Sequence, residues 1–328
     1  MVFQEGADMG RTKRKFYKGI LNHCYQRTAN RILLFYSESD FLVFFTIFCI
    51  EARKYRVVIL SLCQMPDHIH VCICAESMED LSGFVRSYTQ KFAFVQNKTC
   101  NWKGALFETP FGSAPKYGDK KARTNLIYIG NNAPERRLCS KAEQYRWNYI
   151  AYAASNNPYS NRIVIRYTSF SLIKAIREVR YSYSSGKPLQ YTQLQRLFKT
   201  LTRTETEQFI DYCISLYNVI DYEKAISFFG TYDRMLTAMH SNTGSEYDIN
   251  ERFTGKSDLC YANMSSLIME KLKLDDVHDM FLLPEKERIK LIPFLKNRTD
   301  AFPEQIAAFL RLPHSDRKTE TTIIQRFK

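Results

Sequence analysis

The stretch "YRVVILSLCQMPDHIHVCICA", Tyr55 to Ala75, sets two apolar runs rich in β-formers either side of a turn at Met65-Pro66-Asp67. A proline turn that short sends the second run back alongside the first, so the chain must build an antiparallel sheet here. The flanking segments say what covers it. Ahead lies "KGILNHCYQRTANRILLFYS", expected to supply one or two strands, then a run in which Asp40 can cap a helix reaching about Lys54 and packing its apolar residues on the sheet. Behind lies "SMEDLSGFVRSYTQKFAFVQNK", which opens on Ser77, Glu79 and Asp80 and keeps Leu81, Phe84, Val85, Tyr88 and Phe92 at helical spacing. Strand, helix, strand, strand, helix is the order of a ferredoxin-like α+β sandwich. A looser stretch around "FETPFGSAPKYGDK" leads to "KARTNLIYIGNN", a third helix expected from near Lys120.

From about Asn161 the pattern changes to helical segments such as "SFSLIKAIREV", "TETEQFIDYCISLY", "YEKAISFFGTYDRML" and "PEQIAAFL". Two domains are expected, 1–160 and an all-α accessory domain over 161–328. Near the end, at about 285–328, Pro303 starts a helix, a break falls at Leu312-Pro313, and a basic run with Arg317, Lys318 and Arg326 follows. That rhythm fits either a helix-turn-helix with its last helix in a major groove or a plain helical hairpin.

A net charge of +13 favours a polyanionic partner, nucleic acid before an anionic membrane. The nine cysteines show no CxxC spacing and several sit in apolar runs, as buried thiols of a reducing cytoplasm would. The most apolar stretch, "DFLVFFTIFCIEARKY", holds about fourteen residues before its charges, too few to span a bilayer, so no membrane is expected.

Successive strand side chains alternate faces, so His68 and His70 project together, about 7 Å apart, with Ile69 turned to the opposite layer. Two imidazoles on one rigid strand can share a cation, or can be two hydrogen-bonded core residues. Cys72 and Cys74 fall on the same face. Ligands strung along one strand do not converge on a tetrahedral ion, so these two read as small core residues and not as a zinc site.

"MPDHIHVCI" resembles the HUH element, two histidines around a hydrophobic residue, of the single-tyrosine HUH transposases, the small insertion-sequence enzymes and their REP-associated relatives. "NHCYQRTANRILLFYS", "GFVRSYTQKFAFVQNK", "LIYIGNNAPERRL" and "EQYRWNYIAY" resemble further family segments in the same order, so the likeness spans about residues 15–155. It implies the HUH endonuclease fold and an enzyme that nicks and rejoins single-stranded or hairpin DNA through a tyrosine. Tyr128 matches the catalytic tyrosine, with His68, His70 and Asn132 as ligands of Mg2+ or Mn2+. Helical geometry agrees that Tyr128 and Asn132, four apart, share a face, with Ile129 turned into the core. Arg27, Lys116, Lys120, Lys121 and Arg123 flank these elements and are the expected DNA contacts. Relatives often dimerise, so the resemblance also carries the expectation of a homodimer. Two departures stand out: Asn132-Ala133-Pro134 where relatives read NPV, and "ETPFGSAPKYG", which brings in Tyr117 as a second candidate nucleophile. The alternatives are a domesticated binder of DNA or RNA with the same fold that no longer cuts, and an unrelated metal-dependent phosphoesterase using water.

Overall fold

The computed structural model describes residues 15–241 and 257–312. The first seven regular elements are β1 (Leu21–Arg27), α1 (Glu38–Ala52), β2 (Val57–Met65), β3 (His68–Ala75), α2 (Met78–Thr99), β4 (Gly112–Lys116) and α3 (Gly118–Glu135). The strands form one sheet in the order β2-β3-β1-β4, every pairing antiparallel, which is the ferredoxin-like α+β arrangement that the element order predicts. The β2–β3 connection is the expected tight turn, and the Pro66 carbonyl accepts hydrogen bonds from the backbone N–H groups of Leu34 (2.8 Å) and Phe35 (3.2 Å).

Strand period sorts β3 between two layers. Ile69, Val71 and Ile73 join the core built by α1 and α2, while Cys72 and Cys74 join the core under α3 with Leu126 and Ile129. With both faces covered, every residue of β3 is buried.

The loose stretch expected before α3 contains β4. Its composition carries no strand signal, because an edge strand pairs on one side only and so accepts Pro115. Gly112 is required there by contact, since a Cβ would lie 2.0 Å from Cζ of Tyr25, the residue it pairs with.

Ser37, not Asp40, is the N-cap residue of α1, and Asp40 sits three positions inside. The Asp40 carboxylate accepts from the backbone N–H groups of Tyr36 (2.8 Å) and Ser37 (3.0 Å), reaching back as the acidic member of a capping box. α1 is apolar on all sides because it is covered on all sides. α2 and the sheet take one side, and α5 (Tyr191–Phe198) and α6 (Arg203–Tyr217) take the other, placing Phe44, Phe45, Phe48, Leu194, Phe209 and Ile214 in one continuous core. α4 (Phe170–Ser184) lies outside α6.

"YEKAISFFGTYDRML" breaks at Gly230 (φ +88°) into α7 (Tyr222–Ser227) and α8 (Tyr232–Ser241). Then come α9 (Cys260–Leu272), a 3-10 turn Val277–Leu282, α10 (Glu285–Ile289), α11 (Ile292–Arg298) and α12 (Pro303–Phe309). These last elements share a core with Leu33 and Tyr36. Their docking is also polar. His278 Nε2 lies 3.0 and 3.1 Å from the two Asp40 oxygens, its Nδ1 faces Asp276, and the Tyr191 hydroxyl donates to Asp40 (2.6 Å). Of the expected helix-turn-helix, α12 is described and the basic helix after Pro313 lies outside the described residues. No helix among them is long and apolar enough to cross a membrane.

Candidate active site

β3 carries His68 and His70 onto the face that α3 covers. The register places Tyr25 opposite His70 and Arg27 opposite His68, so β1 presents His23, Tyr25 and Arg27 to the same face. His23 therefore joins the two expected histidines, and its Nε2 lies 2.9 Å from Nδ1 of His70. Nothing in the sequence singled out His23. Residue parity along β1 puts it on that face only once the β1–β3 register is known.

α3 supplies the tyrosine. The Tyr128 ring is 5.4 Å from that of His70 and 5.6 Å from that of His23, centroid to centroid, and the His68 and His70 rings are 4.8 Å apart. Residues 60 positions apart in sequence, His68 and Tyr128, thus lie in one cluster with His70 as the shared neighbour. Asn132, one turn on, is buried and its Nδ2 donates to the Tyr128 carbonyl (3.0 Å), while α3 runs on through Pro134 to Glu135. Ile129 is fully buried, as its position on the helix predicts.

Asp67 is the second residue the sequence reading passed over, although it immediately precedes the histidines. Its Oδ1 lies 2.5 Å from Nδ1 of His68. Both histidines thus have Nδ1 engaged, His68 by a carboxylate and His70 by His23, and the nitrogen turned to any cation would be Nε2 in each. A carboxylate or other acceptor on the remote nitrogen is how ligating imidazoles are usually oriented. Two imidazoles are nitrogen donors of the kind a divalent cation accepts, although no group of three or more His, Cys, Asp or Glu suited to a metal occurs among the described residues. The cysteines stand apart: the Cys72 thiol, which burial holds well above its usual range, donates to Asn125 Oδ1 (2.8 Å) as a core residue.

The helical half reaches this end of the sheet. Asp258 accepts from Gln305 (3.2 Å), lies 3.7 Å from the Arg136 guanidinium, and takes a backbone bond from its own N–H to the Arg136 carbonyl (3.2 Å). Burial pushes its carboxyl up to about 6, and the Asp67 charge adds to that against Arg136 and His68. The cluster is closed: Tyr128 and His68 are each 4% exposed and His70 is 0%.

The basic residues divide. Arg27 is exposed at the histidine end of β1. Lys116 pairs with Leu21 at the far end, six residues or about 20 Å away along the strand. Lys120 and Lys121 are exposed in the first turn of α3, and Arg123 Nη1 donates to the Phe228 carbonyl (3.4 Å). Tyr117 is 42% exposed, against the Tyr17 ring at 4.7 Å. Eleven residues of helix, about 16 Å, separate it from Tyr128.

The family described as "Transposase IS200 like" matches residues 17–132, from just before β1 to Asn132. Among solved structures, that of a REP-associated tyrosine transposase bound to a REP hairpin is similar at 17% identity and a TM-score of 0.40, covering 50% of this chain and 96% of its own. No curated protein matches the chain. Over residues 17–132, then, the chain is similar to the IS200-like transposase family.

Proposed function

We propose that this chain nicks and rejoins single-stranded or hairpin DNA through a 5′-phosphotyrosine on Tyr128. The observation that carries the reading is the packing of the Tyr128 ring against His70, with His68 beside it. In the reaction the Tyr128 phenol loses its proton and its oxygen attacks the scissile phosphorus in line; the bond to the 3′ oxygen breaks, and that oxygen leaves as a 3′-OH. The reverse attack by a 3′-OH rejoins a strand. The ester bond energy stays in the adduct, so no nucleotide cofactor is needed.

His68 and His70, with Asn132 as the proposed third ligand, would hold Mg2+ or Mn2+. When bound, such a cation polarises a non-bridging phosphate oxygen. Asp67 and His23 orient the two imidazoles. Arg27 stands nearest to grip the flanking phosphate, while Lys116, Lys120, Lys121 and Arg123 would track DNA toward the other end of α3. The distance of Tyr117 from the histidines favours Tyr128 as the nucleophile. In this scheme residues 1–160 carry the chemistry and 161–328 are accessory, in a cytoplasmic protein that is proposed to pair with a second copy.

One observation favours a second reading, an inert binder of DNA or RNA: Tyr128 and the histidines are almost sealed, so a phosphate reaches them only when their surroundings open. The test is incubation with labelled hairpin DNA and Mg2+ or Mn2+, followed by a denaturing gel. An adduct that persists in Tyr117→Phe and vanishes in Tyr128→Phe is expected. Binding without cleavage would establish the inert binder, cleavage without an adduct a water-using phosphoesterase, and an adduct surviving Tyr128→Phe would remove Tyr128 as nucleophile.

A further inference from the structure

On α4 the buried residues Leu172, Ala175 and Val179 fix the inward side. Phe170, Lys174, Arg177 and Tyr181, at i, i+4, i+7 and i+11, share the opposite side. All four are exposed, the two rings heavily so, at 76% for Phe170 and 70% for Tyr181. Just ahead, Tyr167 is 81% exposed with the Arg166 guanidinium 5.8 Å from its ring centroid. Between residues 162 and 187 there are six basic side chains and one carboxylate, Glu178, which is itself paired with Arg196. Large rings left in water are unusual enough to need a reason, and Phe170 and Tyr181 flank a pair of cations along one line about 16 Å long.

We infer that this stripe is a second nucleic-acid surface, one that holds single-stranded DNA without regard to sequence, the rings stacking on bases and the cations meeting phosphates. A single strand offers unstacked bases and phosphates side by side, whereas a duplex hides its bases from such rings. The pattern fits other occupants poorly. A helix lying in a membrane surface segregates its apolar and charged sides, but here Lys174 and Arg177 lie between the rings and would be buried with them. A second copy meeting this side through a two-fold axis would set like charges against each other. The stripe also stands apart from the candidate active site: α4 packs on α6, α6 on α1, and α1 on the sheet face opposite α3. The choice of DNA rests on the proposed nicking function; the stacking geometry does not.

The test is binding of a short labelled oligothymidine, which forms no hairpin, to the full chain carrying Tyr128→Phe, measured by fluorescence anisotropy across a salt series. Because the active-site tyrosine is absent from every sample, a failure of the nicking proposal leaves this measurement intact. Phe170→Ala and Tyr181→Ala are each expected to weaken binding by at least about 5-fold. Lys174→Ala with Arg177→Ala should flatten the slope of log affinity against log salt by roughly 1.4. All four substitutions are at exposed positions, so unchanged thermal unfolding is the accompanying control. Unaltered oligothymidine affinity in these variants overturns the inference. So does loss of binding to anionic vesicles, or of self-association in sedimentation, while DNA binding stays the same.

Discussion

Replacing His278 by glutamine tests how the last helices are held on the sheet domain. The imidazole is 1% exposed and lies between two carboxylates, with both ring nitrogens engaged. Two donors are needed there, so it is an imidazolium. Burial alone would push its pKa down, but the Asp40 charge and the hydrogen bonds to Asp276 and Asp40 outweigh burial and hold it well above the ordinary range. Removing one partner of a buried ion pair costs about 3–5 kcal/mol. Asp40 would keep four donors, the hydroxyls of Tyr191 and Ser37 and the N–H groups of Tyr36 and Ser37, which points to the lower end, about 3 kcal/mol. At about 2.1 cal/mol/K per residue over 328 residues, the unfolding entropy is about 0.7 kcal/mol/K, so Tm should fall by about 4 °C. The sign of the pH dependence follows from the raised pKa. The contribution of His278 is complete below its unfolded value, near 6.5, and declines as pH climbs through the higher folded value. The gap between wild type and His278→Gln should therefore be widest near pH 6 and narrow toward alkaline pH. Thermal unfolding at a series of pH values measures both, and a Tm at pH 6 within about 1 °C of wild type would refute the ion-pair account.

Gly112→Ala should cost about 1–3 kcal/mol by overpacking against the Tyr25 ring, and because Tyr25 pairs with His70 it should also reduce adduct formation; unchanged thermal unfolding would show that β4 yields freely. Thiol titration of the native chain should find at most two readily reacting cysteines, since seven of the nine are buried and only Cys139 and Cys260 are partly exposed. Rapid reaction of more would contradict the packing. Cys72→Ala strips Asn125 of its buried donor and is expected to cost about 1–3 kcal/mol in denaturant unfolding, with little change in nicking.

The β2–β3 hairpin, α2 and the shared face of Tyr128 and Asn132 were legible because each depends on local period and turn chemistry alone. β4 was not, since Gly112 to Lys116 becomes a strand only by pairing with β1, and its glycine answers to a ring 87 positions earlier. The same limit hid His23: register between β1 and β3 is a tertiary property, and without it a histidine in "LNHCYQR" is one polar residue among several. Asp67 could have been noticed from its place beside the histidines. The helical segments of the second half were readable one by one, whereas their sharing of a core with α1 was announced only indirectly, by a helix too uniformly apolar to have a wet side.

That helix has a consequence for inheritance. Because α1 presents phenylalanine and isoleucine to the sheet and to α5 and α6 alike, the family-like segment cannot be passed on by itself as an independent folding cassette. A gene fragment ending near residue 160 would encode a polypeptide with one side of its greasiest helix laid bare and prone to clump. Whatever selection keeps the sheet-bearing half must keep its helical sheath as well.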